Sequence, residues 1–118
     1  MEASDAAALF RLTQELADIL DRDAPLTQAL VFLRVASAGA IGADQGRIAE
    51  DLKLPPSVAS RSVQALSHVH YLKDRPGFGL IERVLDPTDN RRRELRLTAH
   101  GSKAIERLAK FVPRRQLR

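Results

Sequence analysis

Cysteine is absent from these 118 residues, which excludes a disulfide framework, a zinc finger built on thiolates and a cysteine redox sensor, and fits a reducing cytoplasm. Long apolar runs are missing as well. The longest falls far below the roughly 20 residues that span a bilayer, and the opening MEASDAAALF carries no basic segment of an export signal. The chain is therefore expected to be cytoplasmic, with no membrane partner. Catalytic groupings are lacking too. His68 and His70 stand two apart on a presumed helix and point in different directions, and His100 stands alone, so metal binding is not expected. Ser, His and Asp occur in no nucleophile-elbow context, and Gly77 and Gly79 form no phosphate loop. A binding module without a cofactor is expected, not an enzyme. There is no internal repeat and no low-complexity linker.

What is present suffices for one core. With 44% hydrophobic residues, the chain can fold as a single domain over 1–118 without staples. Its charge is divided unevenly: residues 1–51 hold 4 Lys/Arg against 9 Asp/Glu, while residues 52–118 hold 15 against 6. The second half is suited to a polyanion. Nucleic acid, an anionic membrane surface and an acidic protein all satisfy that balance by itself.

Helical periodicity tips the choice toward nucleic acid. In the stretch after Gly42, Ile48, Ala49 and Leu52 share one face of a short helix, Asp44 to Leu52, which Asp44 can cap. Lys53 to Pro56 form a tight turn. Pro55 forces Leu54 out of the α region, turning it inward, and Pro56 suits the start of a second helix, Ser57 to about His70. Two helices this close must cross steeply, the geometry of a helix-turn-helix whose second helix lies in a DNA major groove. Ala59, Val63 and Leu66 form its apolar side, with Ser62 beside them. The other side carries Ser57, Ser60, Arg61, Gln64 and His68, in a run from Lys53 to Val69 free of acids. Such hydroxyls, amides and guanidinium groups read base edges or fix phosphates, and Arg61 is the first candidate for a base contact.

Ahead of this motif, Leu9, Leu12, Leu16, Ile19 and Leu20 give an amphipathic helix from Ser4 to about Asp21, within an N-terminal segment 1–24. Its acidic face suits either solvent or a dimer seam. Leu26 to Ala38 reads as a second helix, apolar on most of its circumference through Ala29, Leu30, Phe32, Leu33 and Ala36, and is expected to be central in the core. Gly39 and Gly42 end it.

After the helix-turn-helix, 43–70, comes a wing in 79–98. Leu80 to Leu85 and Glu94 to Leu97 have strand character, and DPTDNRRR joins them. Asp86-Pro87 and Asp89-Asn90 make the turn, with Arg91, Arg92 and Arg93 at or just past its tip, placed to enter a minor groove or follow a phosphate backbone. Asp89 can hold Arg91 by a bidentate pair. Thr98 caps a last helix in 98–112, with Ala104, Ile105, Leu108, Ala109 and Phe111 apolar. The expected fold class is mainly α with a small β-hairpin wing (α+β), a winged helix-turn-helix.

These pieces together resemble a known family. Ala49 to Leu52, Ser57 to Leu66, Gly79 to Arg83, Asp86 to Arg92 and Leu97 to Gly101 are similar in order and type to the MarR family of winged helix-turn-helix regulators, over roughly residues 26–108. The pairing of a DP-x-D-x-R wing with LT-x-x-G is the most specific part. The resemblance implies a cytoplasmic, dimeric regulator that binds double-stranded DNA, usually represses nearby genes and often responds to a small-molecule effector. It also implies that Ser60-Arg61 belong to the recognition helix, and Asp89 and Arg91 to the wing tip. An inverted-repeat operator and a homodimer follow. Two features depart from the family pattern. HVHYLKDRPG intervenes before the GLI-x-R strand, so the wing is expected to be tilted or set off from the recognition helix. About 20 residues follow Thr98, shortening the arm through which the family dimerises and near which it forms a ligand pocket. A winged-helix module that binds a partner protein is the alternative function.

Overall fold

The computed structural model describes residues 2–68, 76–86 and 89–112, and for 85, 86 and 89–93 the backbone alone. Its helices are α1 (Ala3–Ile19), α2 (Leu26–Ala38), α3 (Gln45–Leu52), α4 (Pro56–Leu66) and α5 (Ala99–Ala109). Three strands, β1 (Ala43–Asp44), β2 (Ile81–Asp86) and β3 (Asp89–Leu97), form an antiparallel sheet in the order β1-β3-β2. This is the mainly helical winged helix-turn-helix expected from the sequence.

α1 starts with the Glu2 backbone N–H donating to Asp5 Oδ2 at 3.2 Å. It packs on α5, where Arg107 Nε donates to Glu15 Oε1 at 2.8 Å. Leu16 and Leu20 are buried, Leu12 and Ile19 pack against them, and Leu9 lies outside the core. α2 corrects an expectation. Its buried residues are Gln28, Ala29, Val31, Phe32 and Val35, whereas Leu30 and Leu33 are 40% and 39% exposed. The helix offers one stripe to α4 and β3, and that stripe follows positions 28, 31, 32 and 35 at the 3.6-residue period. With apolar residues all round, composition did not say which stripe faces in.

Asp44 Oδ2 accepts the Arg47 N–H at 3.1 Å and caps α3, so the helix itself begins at Gln45. Asp44 and Ala43 also form β1, a strand the periodicity did not indicate, paired with Glu94 and Leu95. At the far end Lys53 takes a left-handed conformation (φ 55°), Lys53 N–H donates to Glu50 O at 3.1 Å, and Leu54 N–H to Ala49 O at 2.9 Å. This is a Schellman closure, and it turns Leu54 into the core as expected. Pro56 stands in the first turn of α4, where no N–H is needed.

α4 ends at Leu66, earlier than the expected His70. The carbonyls that a continuing helix would offer to residues 69 and 70 are taken by returning chain: Phe78 N–H donates to Ala65 O at 2.9 Å and Leu80 N–H to Leu66 O at 2.8 Å. Gly77 and Gly79 N–H groups bond the carbonyls of His68 and Ser67. The Ser67 hydroxyl satisfies the last turn, donating to Val63 O at 2.7 Å. The inserted segment thus leaves and rejoins at the end of α4, and the root of the wing is pinned to that helix. Residues 69–75, including His70, lie outside the described ones.

β2 and β3 pair from Ile81↔Leu97 to Leu85↔Arg93, then shift register to Asp86↔Asp89. β3 therefore starts at Asp89, five residues before the expected Glu94, and Asp89 and Asn90 belong to a strand instead of the turn. Of the three arginines, Arg93 is paired in register, opposite Leu85. Fully buried Phe32, Ile48, Leu66, Leu80, Ile81 and Leu95 join α2, α3, α4 and the sheet in one core. α5 ends at Ala109, before the expected residue 112, with Ala104 and Leu108 buried.

Candidate nucleic-acid interface

The polar side of α4 is assembled as the spacing requires. Ser57, Ser60, Arg61 and Gln64 fall at i, i+3, i+4 and i+7 on one helix; Ser57 and Arg61 are exposed, Ser60 and Gln64 half-buried. Ala59, Ser62, Val63, Ala65 and Leu66 face the core on the opposite side. Arg61 Nε donates to the Ser57 carbonyl at 3.3 Å, which lays its stem back along the first turn of α4. His68, expected on this helix face, stands beyond the end of α4.

Two contacts tie α3 to its neighbours. Arg34 Nη2 on α2 reaches Asp51 Oδ2 on α3 at 3.0 Å. Arg83 Nη2 on β2 donates to Gln45 Oε1 at the start of α3, also at 3.0 Å, linking the wing to the helix-turn-helix. Neither pair was singled out from the sequence, because each joins residues far apart in the chain. Arg47, Lys53 and Arg61 form no salt bridge with another described residue, so their charge is available to a partner.

Of the wing candidates, the backbone of Asp89, Arg91, Arg92 and Arg93 lies in β3. Their side chains, and with them the proposed Asp89–Arg91 pair, lie outside the described residues, as do Pro87 and Thr88 of the expected turn. Among the described residues no three His, Asp or Glu are grouped as a metal site would need, and no helix is long and apolar enough to cross a membrane.

One feature beside α4 escaped the sequence reading. A cavity of about 170 Å³ between the first turn of α2 and α4 is lined by Pro25, Thr27, Gln28, Val58, Arg61 and Ser62. The signal for it was a glutamine inside the apolar period of α2.

No protein-family model matches the sequence, and no curated protein matches it. Solved structures do. MepR of S. aureus, in complex with DNA, is 21% identical over 90% of this chain and 79% of its own, with a TM-score of 0.66. A MarR variant of E. coli complexed with operator DNA is 18% identical over 90% and 69%, at 0.61. The PcaV transcriptional regulator of Streptomyces coelicolor is 26% identical over 89% and 72%, at 0.59. The chain has the MarR winged-helix fold. In that fold α3 and α4 are the helix-turn-helix, β2 and β3 the wing, and the Thr98 to Gly101 segment closes the wing onto α5. Thr98 Oγ1 accepts the Gly101 N–H at 3.0 Å there.

Proposed function

We propose that this protein is a sequence-specific, double-stranded DNA-binding transcriptional regulator, acting in the cytoplasm as a repressor. The observation that carries the reading is the face of α4: Ser57, Ser60, Arg61 and Gln64 stand together on the side of the helix opposite its buried residues, in a stretch with no acidic residue from Lys53 to His68. A major groove admits one such helix, and these side chains supply the donors and acceptors that base edges and phosphates require. Arg91, Arg92 and Arg93 in the wing, with Asp89 beside them, meet the flanking minor groove or backbone. The solved relatives support this, two of them being DNA complexes.

The functional unit is a homodimer on an inverted repeat. α1 leaves Leu9 and Phe10 exposed, Phe10 at 62%, and Val112 is exposed just after α5, the helix on which α1 packs. A second copy of the chain would cover these apolar groups. A small-molecule effector acting on such a dimer accords with the family resemblance; no described cavity is assigned to it.

Selection of bound duplexes from a random pool by the purified protein tests the reading. Enrichment of one symmetric sequence is expected. Failure to enrich any sequence, together with binding to random duplex no tighter than to heparin, would refute it and favour a module that binds an acidic protein through its basic half.

A further inference from the structure

Arg83 stands on the side of the sheet that faces the core, yet no carboxylate meets its guanidinium. In β2 the fully buried Ile81 lies two residues before it, and across the sheet it is paired with the fully buried Leu95, so the three share one face. Arg83 itself is exposed. Among the residues whose side chains are described, the acids of the sheet, Asp44, Glu82 and Glu94, belong by register to the other face, where Glu94 pairs with Arg96 at 3.4 Å. None of them forms an ion pair with Arg83.

What holds Arg83 is neutral. Its Nη2 donates to Gln45 Oε1 at 3.0 Å, whereas Arg22, Arg34, Arg96 and Arg107 each meet a carboxylate. A guanidinium has five N–H donors and keeps its proton, so an amide acceptor fixes the group while leaving its full charge and its other donors unspent. A carboxylate at position 45 would tie the wing to α3 more strongly. Position adds to this. Gln45 opens α3 and lines a cleft of about 440 Å³ whose α4 wall is Pro56 and Ala59. Ser60, on the polar face of α4, follows Pro56 by four residues and borders the same cleft. The one acid in its lining, Glu50, forms no ion pair with Arg83.

We propose that Arg83 binds a phosphate of the DNA backbone between the wing and α4, with Gln45 as the positioning residue that aims the guanidinium without neutralising it. This rests on the reading of α4 as a recognition helix. The phosphate takes the free edge of the guanidinium in two parallel N–H···O bonds. Because Gln45 holds the group beforehand, less side-chain freedom is lost on binding. The contact reads no base and sets the register of wing and helix on the duplex together.

The test uses the duplex that the whole protein selects from a random pool, remade with one backbone phosphate at a time replaced by a neutral methylphosphonate. At the phosphate that Arg83 meets, the parent should lose affinity about tenfold, whereas Arg83→Ala should be indifferent to that replacement and bind the unmodified duplex about tenfold more weakly. Its slope of log K against log salt should flatten by about 1 on selected and random duplexes alike. Gln45→Glu separates binding from tying. It keeps the bond to Arg83 as an ion pair and should melt no lower than the parent, yet become indifferent to the same phosphate and lose about 1 of slope. Gln45→Ala should weaken binding about threefold alone and add nothing in an Arg83→Ala background. If Arg83 only ties the wing, Gln45→Glu will bind as the parent does, and Arg83→Ala will lose its response at every wing-side phosphate or at none. Any of these results overturns the proposal and leaves the regulator reading standing. A parent that selects no duplex removes both.

Discussion

Thr98 Oγ1 donates to the Gly79 carbonyl at 2.6 Å while accepting the Gly101 N–H at 3.0 Å, so one hydroxyl ties the root of β2 to the first turn of α5. The link extends further. Thr98 N–H donates to Leu80 O at 3.0 Å, and Leu80 N–H to Leu66 O, so the end of α4, the wing and α5 share one chain of hydrogen bonds.

Thr98→Ala removes both the helix cap and the bond to Gly79. The cap is worth about 1 kcal/mol and the second bond about as much, so a loss of about 2 kcal/mol is expected in urea unfolding. Thr98→Ser should recover most of it. Equal instability of the two variants would show that the methyl group, not the hydroxyl, matters.

Gly101 sits where a Cβ would run into the Leu80 carbonyl oxygen, a backbone atom that cannot rotate aside. A glycine in a helix ordinarily gains about 1 kcal/mol on replacement by alanine. Here Gly101→Ala should instead cost about 1–3 kcal/mol through overpacking, while Ser102→Ala, exposed next door, stays within about 0.5 kcal/mol. A more stable Gly101→Ala protein would contradict the close approach.

The orientation of α2 gives a third expectation. Phe32→Ala should cost about 3–5 kcal/mol because Phe32 is fully buried, whereas Leu33→Ala should cost about 1 kcal/mol. Comparable losses at both positions would mean that a partner covers Leu33 in solution.

Much of the helix-turn-helix was legible because its signals are local. Asp44 caps, Pro55 and Pro56 punctuate, and Leu54 turns in, each through bonds within five residues of itself. The parts that were misread depend on distant chain. Only the returning segment from Gly77 to Leu80 stops α4 at Leu66, only pairing with Leu95 makes Ala43 a strand, and only the position of α4 decides which stripe of α2 is buried. The same holds for the site. Ser57, Ser60, Arg61 and Gln64 were found by helical spacing, but Arg83 matters through its bond to Gln45, far away in the chain.

For the wing, each arginine that truly meets the phosphate backbone should contribute about 1 to the salt slope. Arg91→Ala is expected to flatten the slope and weaken binding even with α4 intact. Successive strand residues alternate in direction, so Arg91 and Arg92 should not have equal effects. Unchanged affinity and slope in Arg91→Ala would mean that the wing does not touch DNA.

Symmetry makes the most demanding prediction. A homodimer and its operator share a two-fold axis, so footprints should show an inverted repeat with half-site centres about 10 bp apart. Phe10, 62% exposed in one copy, is the apolar group most in need of cover on α1. Phe10→Glu would bury a charge in the seam from each copy, and light scattering should then report monomer where the parent is dimer. The variant should still melt like the parent at low concentration, since Phe10 contributes little to its own core, but lose most affinity for the full site and retain what it has for one half. A parent protein that is monomeric at micromolar concentration and protects one unrepeated half-site would sink the dimer and confine recognition to a single α4.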